Sequence, residues 1–376
     1  MKNILVWETL SLVSGGQKMT LTVMDLLKDE YSFYCLLPEK GEMADELDKR
    51  GIPYTLMGNQ TMPTGVKGKS VLFKYAFLSF KAIINALAII LKYKIDLIYA
   101  PGPAALPWSA VCAALTGKKA VWHLHHIFED EATKKLLNIC SKLKSVERII
   151  AVSDCVRSQI FAPKGAKKSL TLYNPVDFER YSRGDKEKIL AELNERGDSK
   201  ENVFIAVIGL LQEQKKQERA IEILENLCNT GCKTRLLLVG SSRPGEQGYE
   251  IMLHELVKQK GLSDKVLFLG QRDDVKDILQ VLSALIVPSS TEGFPLVALE
   301  AMAAGVSVLA VANGGAGELV SISKGGVTYN DNESIDVIAQ KLLKIMDDKE
   351  LIKNGREFTM AQSPAEYKRK LLEIFG

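Results

Sequence analysis

The chain has 376 residues, too many for one ordinary domain and well suited to two α/β domains. Its 46% apolar and 25% charged residues are globular proportions, and a formal charge of +3 gives no field that would suggest a nucleic-acid partner. Six cysteines are scattered without paired zinc spacings, Cys228 and Cys232 lying four apart, and read as reduced thiols of a cytoplasmic protein.

The start, Met1-Lys2-Asn3-Ile4-Leu5-Val6-Trp7, reads as a strand over 4–7. Its apolar stretch is too short for a secretory signal, and no small-residue cleavage site follows. A helix over 17–27, a strand over 33–37 and a helix over 43–50 come next. The segment Pro63-Thr64-Gly65-Val66-Lys67-Gly68-Lys69-Ser70 nearly spells a phosphate-binding P-loop. Pro63 stands where the first glycine belongs and no buried strand precedes it, so an NTPase is set aside and the segment reads as a basic loop.

The run 71–93, VLFKYAFLSFKAIINALAIILKY, predicts a long helix interrupted by Lys74 and Lys81 and flanked by Lys67, Lys69, Lys92 and Lys94. No run in the chain reaches the ~18 uncharged residues of a membrane span. The helix reads first as packed on the N-terminal sheet with lysines outward. The same pattern also suits a basic amphipathic helix on an anionic membrane surface, and the two readings are compatible.

A strand over 97–99, a helix near 107–115 and strands over 120–123 and 148–152 complete the first half. Strands alternating with helices predict a parallel sheet with crossover helices, whose site lies beyond the carboxyl ends of the strands. The stretch 174–202 is polar and charge-rich, which places a hinge there. A second alternation has strands over 203–208, 235–239, 266–269, 284–287 and 307–311. A terminal helix is expected over 364–375.

Three strand ends carry candidate chemistry. Ser14-Gly15-Gly16-Gln17 opens the first helix, where glycines admit a ligand to the backbone and free N–H groups favour anions. It is not Gly-x-Gly-x-x-Gly, so a nicotinamide cofactor is not supported. Trp122-His123-Leu124-His125-His126 holds three of the four histidines of the chain, with His123 and His125 on one face of the strand. A zinc reading lacks a fourth ligand.

The most informative run is 289–305, Ser-Ser-Thr-Glu-Gly-Phe-Pro-Leu-Val-Ala-Leu-Glu-Ala-Met-Ala-Ala-Gly, after the strand 284–287. Pro295 suits the first helical turn and Gly305 the far end. The helix start then aims free N–H groups and a positive dipole end above the strand, which favours a phosphate. Glu292 and Glu300, eight apart, can face one crevice.

This Glu-x7-Glu string at a strand-to-helix junction resembles the retaining glycosyltransferases of family 4, of GT-B fold. Ala151-Val152-Ser153-Asp154, Tyr173-Asn174-Pro175-Val176-Asp177, Gly209 to Gln217 and Gly314-Gly315-Ala316-Gly317-Glu318 extend the resemblance over most of the chain. It implies two Rossmann-like domains facing across a cleft, 1–175 for the acceptor and 176–360 for the nucleotide-sugar. A last helix, 361–376, crosses back to pack on the first domain.

The resemblance also implies roles. Glu292 would hold the donor sugar's hydroxyls, Glu300 the ribose, and Lys215 the leaving diphosphate. His125 would lie near the anomeric carbon. Gly15, Gly16, Gly209 and the backbone of Gly293, Phe294, Leu296 and Val297, around Pro295 with no N–H of its own, would cradle sugar and phosphate. Gly314 and Gly315 would let the backbone approach the donor, and Gly270 and Arg272 would line the nucleobase side. No metal and no cofactor beyond the nucleotide-sugar are implied; a UDP-sugar is the expected donor, while the family pattern itself leaves the nucleobase open.

Retention would come from front-face attack, the departing phosphate taking the acceptor's proton. The acceptor would be a glycan or lipid-linked glycan in bacterial surface polysaccharide synthesis, at the inner face of the cytoplasmic membrane. One departure stands out: Leu210 occupies the place of a usual Arg that clasps the diphosphate. The loss of one charge-assisted contact costs ~1.5–3 kcal/mol, which Lys216, Arg272 or Arg243 could offset. Rival readings are a nucleotide-sugar-binding subunit with little activity of its own, a nucleotide-sugar epimerase, and a phosphorylase.

Overall fold

The structure, a computed structural model, describes residues 1–58, 69–197, 202–243 and 245–376, with side chains of the long helix described from residue 79. The chain divides into two units, Met1–Asn174 with Ala365–Gly376, and Pro175–Pro364. The P-loop-like segment, apart from its last two residues, and the flanking Lys67 lie outside the described residues.

In the first unit the strands are β1 (Lys2–Trp7), β2 (Tyr31–Leu37), β3 (Tyr54–Leu56), β4 (Leu97–Ala100), β5 (Lys119–Leu124), β6 (Val146–Ala151) and β7 (Ser169–Thr171). They pair in the order β3-β2-β1-β4-β5-β6-β7, all parallel. Ile4, Leu5, Val6 and Trp7 are all fully buried, as expected of a strand covered by helices on both faces. The long helix is Lys69–Lys92.

The second unit holds β8 (Val203–Ile208), β9 (Thr234–Val239), β10 (Val266–Gly270), β11 (Leu282–Val287), β12 (Ser307–Val311) and β13 (Gly326–Tyr329). Their order is β10-β9-β8-β11-β12-β13, again parallel. Each sheet reverses its winding at one point, between β1 and β4 and between β8 and β11. Such switch points open a crevice beyond the carboxyl ends of the two strands.

Three strands went unread in the sequence. β3, β7 and β13 are edge strands of three, three and four residues, too short to show an alternation. The polar stretch expected to be a hinge carries two helices, Phe178–Ser182 and Lys186–Glu195. Both belong to the second unit. Val176 N–H donates to Gln362 O at 2.9 Å, and Asp185 N–H to the buried Asp277 carboxylate at 2.9 Å. High polarity here reflects a helical surface layer with charged pairs rather than free chain.

The terminal helix Pro364–Phe375 buries Tyr367, Leu371 and Phe375, one face at i, i+4, i+8. Phe375 packs against Tyr31 and Tyr99 of the first unit, with ring centroids 6.1 and 5.4 Å apart. Lys368 pairs with Glu30 at 3.0 Å, and Lys2 Nζ donates to Gly376 O at 3.0 Å. The last helix of the chain thus contacts the N-terminal sheet.

Candidate active site

In the second unit the loops after β8 and β11, the two strands at the switch point, meet. Lys215, in the short 3-10 turn Glu213–Lys215, forms an ion pair with Glu292. Both side chains are mostly buried. Gly209 has φ +150°, and a Cβ on it would sit 3.9 Å from the Lys215 Cε. The neighbouring loop after β9 presses closer: a Cβ on Gly240 would fall 2.0 Å from Gly209 O. Leu211 N–H donates to Ser241 O at 3.1 Å and Ser242 Oγ to Leu211 O at 3.1 Å, so the Gly209–Lys215 loop is held from the side.

The helix after Glu292 is Leu296–Ala304, with Pro295 as its N-cap at φ −71°, ψ 116°. Pro295 therefore stands one residue before the first turn expected of it. The preset proline φ suits either place. The opening of this nine-residue helix leaves the Leu296 and Val297 N–H groups without helical partners, above β11. Gly305 closes it at φ +88°, as expected. Phe294 is buried and Gly293 adjoins it. One turn into the helix, Glu300 Oε1 accepts the Tyr181 hydroxyl at 2.7 Å.

Gly314 and Gly315 meet a packing requirement of their own. A Cβ on Gly315 would lie 1.8 Å from Gly293 O, and one on Gly314, at φ +80°, 2.4 Å from Ser290 O. Gly315 N–H donates to Glu292 O at 2.7 Å. These glycines let one backbone lie on another and so fix the loop that carries Glu292.

Arg272 is already engaged. Its Nη1 and Nη2 reach the two oxygens of Glu192 at 2.8 Å each, and its Nε and Nη2 reach Asp274 at 2.8 and 2.9 Å. The guanidinium holds the Asp274 carboxyl well below its usual range, helped by Lys188. Lys216, in the left-handed region at φ 50°, pairs with Asp331 at 3.3 Å. Arg243 has its Nε buried without a hydrogen-bond partner among the described residues.

In the first unit the helix Gly15–Leu27 opens beside the end of β1. A Cβ on Gly15 would meet open space, whereas one on Gly16 would sit 3.7 Å from His126 Nε2 and 3.8 Å from His125 Cβ. The glycine loop and the histidine strand end are therefore neighbours. His125 is 8% exposed and His123 fully buried, with their rings 4.0 Å apart. Tyr99 Oη and His123 Nδ1 share a hydrogen bond of 2.6 Å.

Burial pushes His123 down to about 3, and burial with the neighbouring His123 and His126 pushes His125 well below its usual value. Both are neutral imidazoles at pH 7. Among the described residues no three His, Cys, Asp or Glu side chains group as a metal site.

The sequence reading missed Glu8. It follows β1, is 1% exposed, and accepts from Gln17 Nε2 at 3.0 Å and Thr20 Oγ1 at 2.9 Å. Gln17 Oε1 in turn accepts the Ser14 hydroxyl at 2.6 Å. Burial raises the Glu8 pKa. A carboxylate at an otherwise apolar strand end was the only sequence signal. Tyr181 carried none, because its partner is 119 positions away.

Two family profiles match this chain: Glycosyltransferase Family 4 over residues 41–180 and Glycosyl transferases group 1 over 186–359. The chain belongs to glycosyltransferase family 4. As a member it is a retaining glycosyltransferase that uses a nucleotide-sugar donor. It is 27% identical over 368 residues to the UDP-Gal:alpha-D-GlcNAc-diphosphoundecaprenol alpha-1,3-galactosyltransferase of Escherichia coli, covering 92% of this chain and 88% of that protein.

The N-acetyl-alpha-D-glucosaminyl L-malate synthase of Bacillus anthracis is 29% identical over 194 residues, 52% of this chain and 48% of that protein. Anabaena Alr3699/HepE, solved in complex with UDP and glucose, superposes with a TM-score of 0.82 at 22% identity, covering 100% of this chain and 99% of that one. That likeness shows the GT-B fold.

Proposed function

We propose that this family 4 enzyme moves a sugar from a UDP-sugar to a lipid-linked glycan, with the donor in the second unit and the acceptor in the first. The observation that carries the donor assignment is the meeting of Lys215, Glu292 and the open helix start at Leu296 above the β8–β11 switch point. A diphosphate entering there takes the Lys215 charge and frees Glu292 for the sugar's hydroxyls. Leu296 and Val297 N–H groups face the phosphate, and Glu300 reads the ribose. Charge developing on the leaving diphosphate is met by a fixed ammonium and fixed N–H dipoles, so no metal is needed.

His125, neutral and with its Nε2 buried without a partner among the described residues, offers a hydrogen bond to a sugar hydroxyl rather than a proton. Attack on the donor's front face, with the leaving phosphate taking the acceptor proton, gives retention.

UDP is favoured because the Anabaena neighbour was solved with it and the Escherichia coli relative is named for UDP-Gal. The name of that relative also supplies the lipid-diphosphate acceptor class. Phe80, Ile84 and Leu91 support a membrane reading: they are 67%, 49% and 74% exposed and fall on one side of the helix Lys69–Lys92, with exposed Lys81 and Lys92 beside them. No helix among the described residues is long and apolar enough to cross a membrane. The enzyme would act at the inner face of the cytoplasmic membrane.

The test is an assay with UDP-glucose, UDP-galactose and their N-acetyl forms against a prenyl-diphosphate-linked sugar, with and without EDTA. Transfer with an α-linked product, unchanged by EDTA, is expected. Nucleotide binding without turnover would favour the binding-subunit reading that Leu210 suggests, and conversion of the donor alone would favour an epimerase.

A further inference from the structure

Tyr181 belongs to the helix Phe178–Ser182, just past the point where the chain enters the second unit. Its hydroxyl lies 2.7 Å from Glu300 Oε1. Burial first, and the Glu300 charge second, push the phenol's ionisation up, so it keeps its proton and serves as the donor. Tyr181 is itself held: its carbonyl accepts from Gln280 Nε2 at 2.8 Å, and the Asp177 side chain caps its helix at Arg180 N–H, 3.0 Å. A glutamate on a helix surface has three rotatable bonds, and reading a vicinal diol requires its carboxylate plane to be fixed. Here the phenol fixes it on folding, so that freedom is not lost on ligand binding.

We propose that Tyr181 is a positioning residue for the donor site that sets its preference for ribose over 2′-deoxyribose, by holding the Glu300 carboxylate in the orientation that accepts both ribose hydroxyls. The proposal rests on the reading of Glu300 as the ribose ligand. No role for Tyr181 follows from the Glu-x7-Glu string, and the residue touches neither the sugar nor the phosphate in that reading.

The experiment is calorimetry of the full chain with UDP and 2′-deoxy-UDP, repeated with the guanosine and adenosine pairs, for wild type, Tyr181→Phe and Glu300→Ala. The melting temperature of each protein is measured without ligand. The wild type is expected to prefer the ribose form. Tyr181→Phe, melting close to wild type, is expected to lose about three- to tenfold in ribonucleotide affinity with little change for the deoxy form, so the preference shrinks. An unchanged preference in Tyr181→Phe, or equal weakening of both forms, overturns the Tyr181 role while leaving Glu300 in place. A wild type without preference, no binding of any nucleotide, or Glu300→Ala binding UDP like wild type, overturns the Glu300 reading and the Tyr181 proposal with it.

Discussion

At the scale of single residues, charge placement decides the chemistry. Among the described residues Lys215 pairs with Glu292, and in the proposed site an arriving diphosphate takes that charge over. Lys215→Ala is expected to lower kcat by about 10²–10³, as for the removal of one donor to a developing anion; initial rates at saturating donor measure it. The buried histidines give a second prediction. His123 titrates near 3 in the folded chain but at its ordinary value when unfolded. The unfolded state therefore binds more protons below about 6.5, and stability falls as pH drops from there toward about 3, by roughly 1.4 kcal/mol per pH unit for one such group.

Glu8 has the opposite sign: its raised pKa makes the folded state take the proton first, a contribution lost as pH rises through the folded value. Comparing wild type with His123→Gln across pH 7 to 4 cancels Glu8, and the variant should lose one share of the acid slope. Equal slopes would mean His123 is not buried neutral. Glu292, Glu300, Lys215 and His125 were visible in the sequence because each sits in a short string with its neighbours. Glu8, Tyr99 and Tyr181 were not, because their partners lie 12, 24 and 119 positions away.

Among the elements, the loop after β11 is shaped by its neighbour. Gly315 has no room for a side chain: a Cβ there would lie 1.8 Å from the backbone oxygen of Gly293. Gly315→Ala should push the Glu292 loop outward, costing about 1–3 kcal/mol of stability and weakening nucleotide binding severalfold; thermal unfolding with and without UDP reads both. A variant with wild-type stability and UDP affinity would show that the loop is not set by this contact. The strand-loop-helix frame was legible from the apolar run 284–287 and from Gly305. The function of Gly314 and Gly315 was not, because a sequence does not say which backbone lies over which. The edge strands β3, β7 and β13 escaped for a related reason: three or four residues carry no period, and only pairing to a longer neighbour makes them strands.

For the whole molecule, the alternation of strands and helices was enough to read two parallel sheets, and the family resemblance supplied the return of the terminal helix. The two units divide between Asn174 and Pro175, at the start of the polar stretch 174–202 where a hinge was expected, and the charges of that stretch belong to helices anchored by Asp277 and Gln362 of the second unit. The terminal helix is tied to the first unit by Leu371 at 0% exposure beside Tyr367 and Phe375. Leu371→Ala should cost about 2–5 kcal/mol, seen as a lower melting temperature of the first unit; an unchanged transition would mean that the helix is not part of that core.

The central claim is that the second unit carries the nucleotide site, with Glu300 as its ribose ligand. It is tested most directly by the thermal shift of wild type and Glu300→Ala with UDP, GDP, ADP and dTDP. A nucleotide at a hundred times its Kd adds about 2.7 kcal/mol, or roughly 5–10 °C for a unit of this size. The account predicts a shift with UDP that disappears in Glu300→Ala. A shift that persists in the variant, or no shift with any of the four nucleotides, would contradict it.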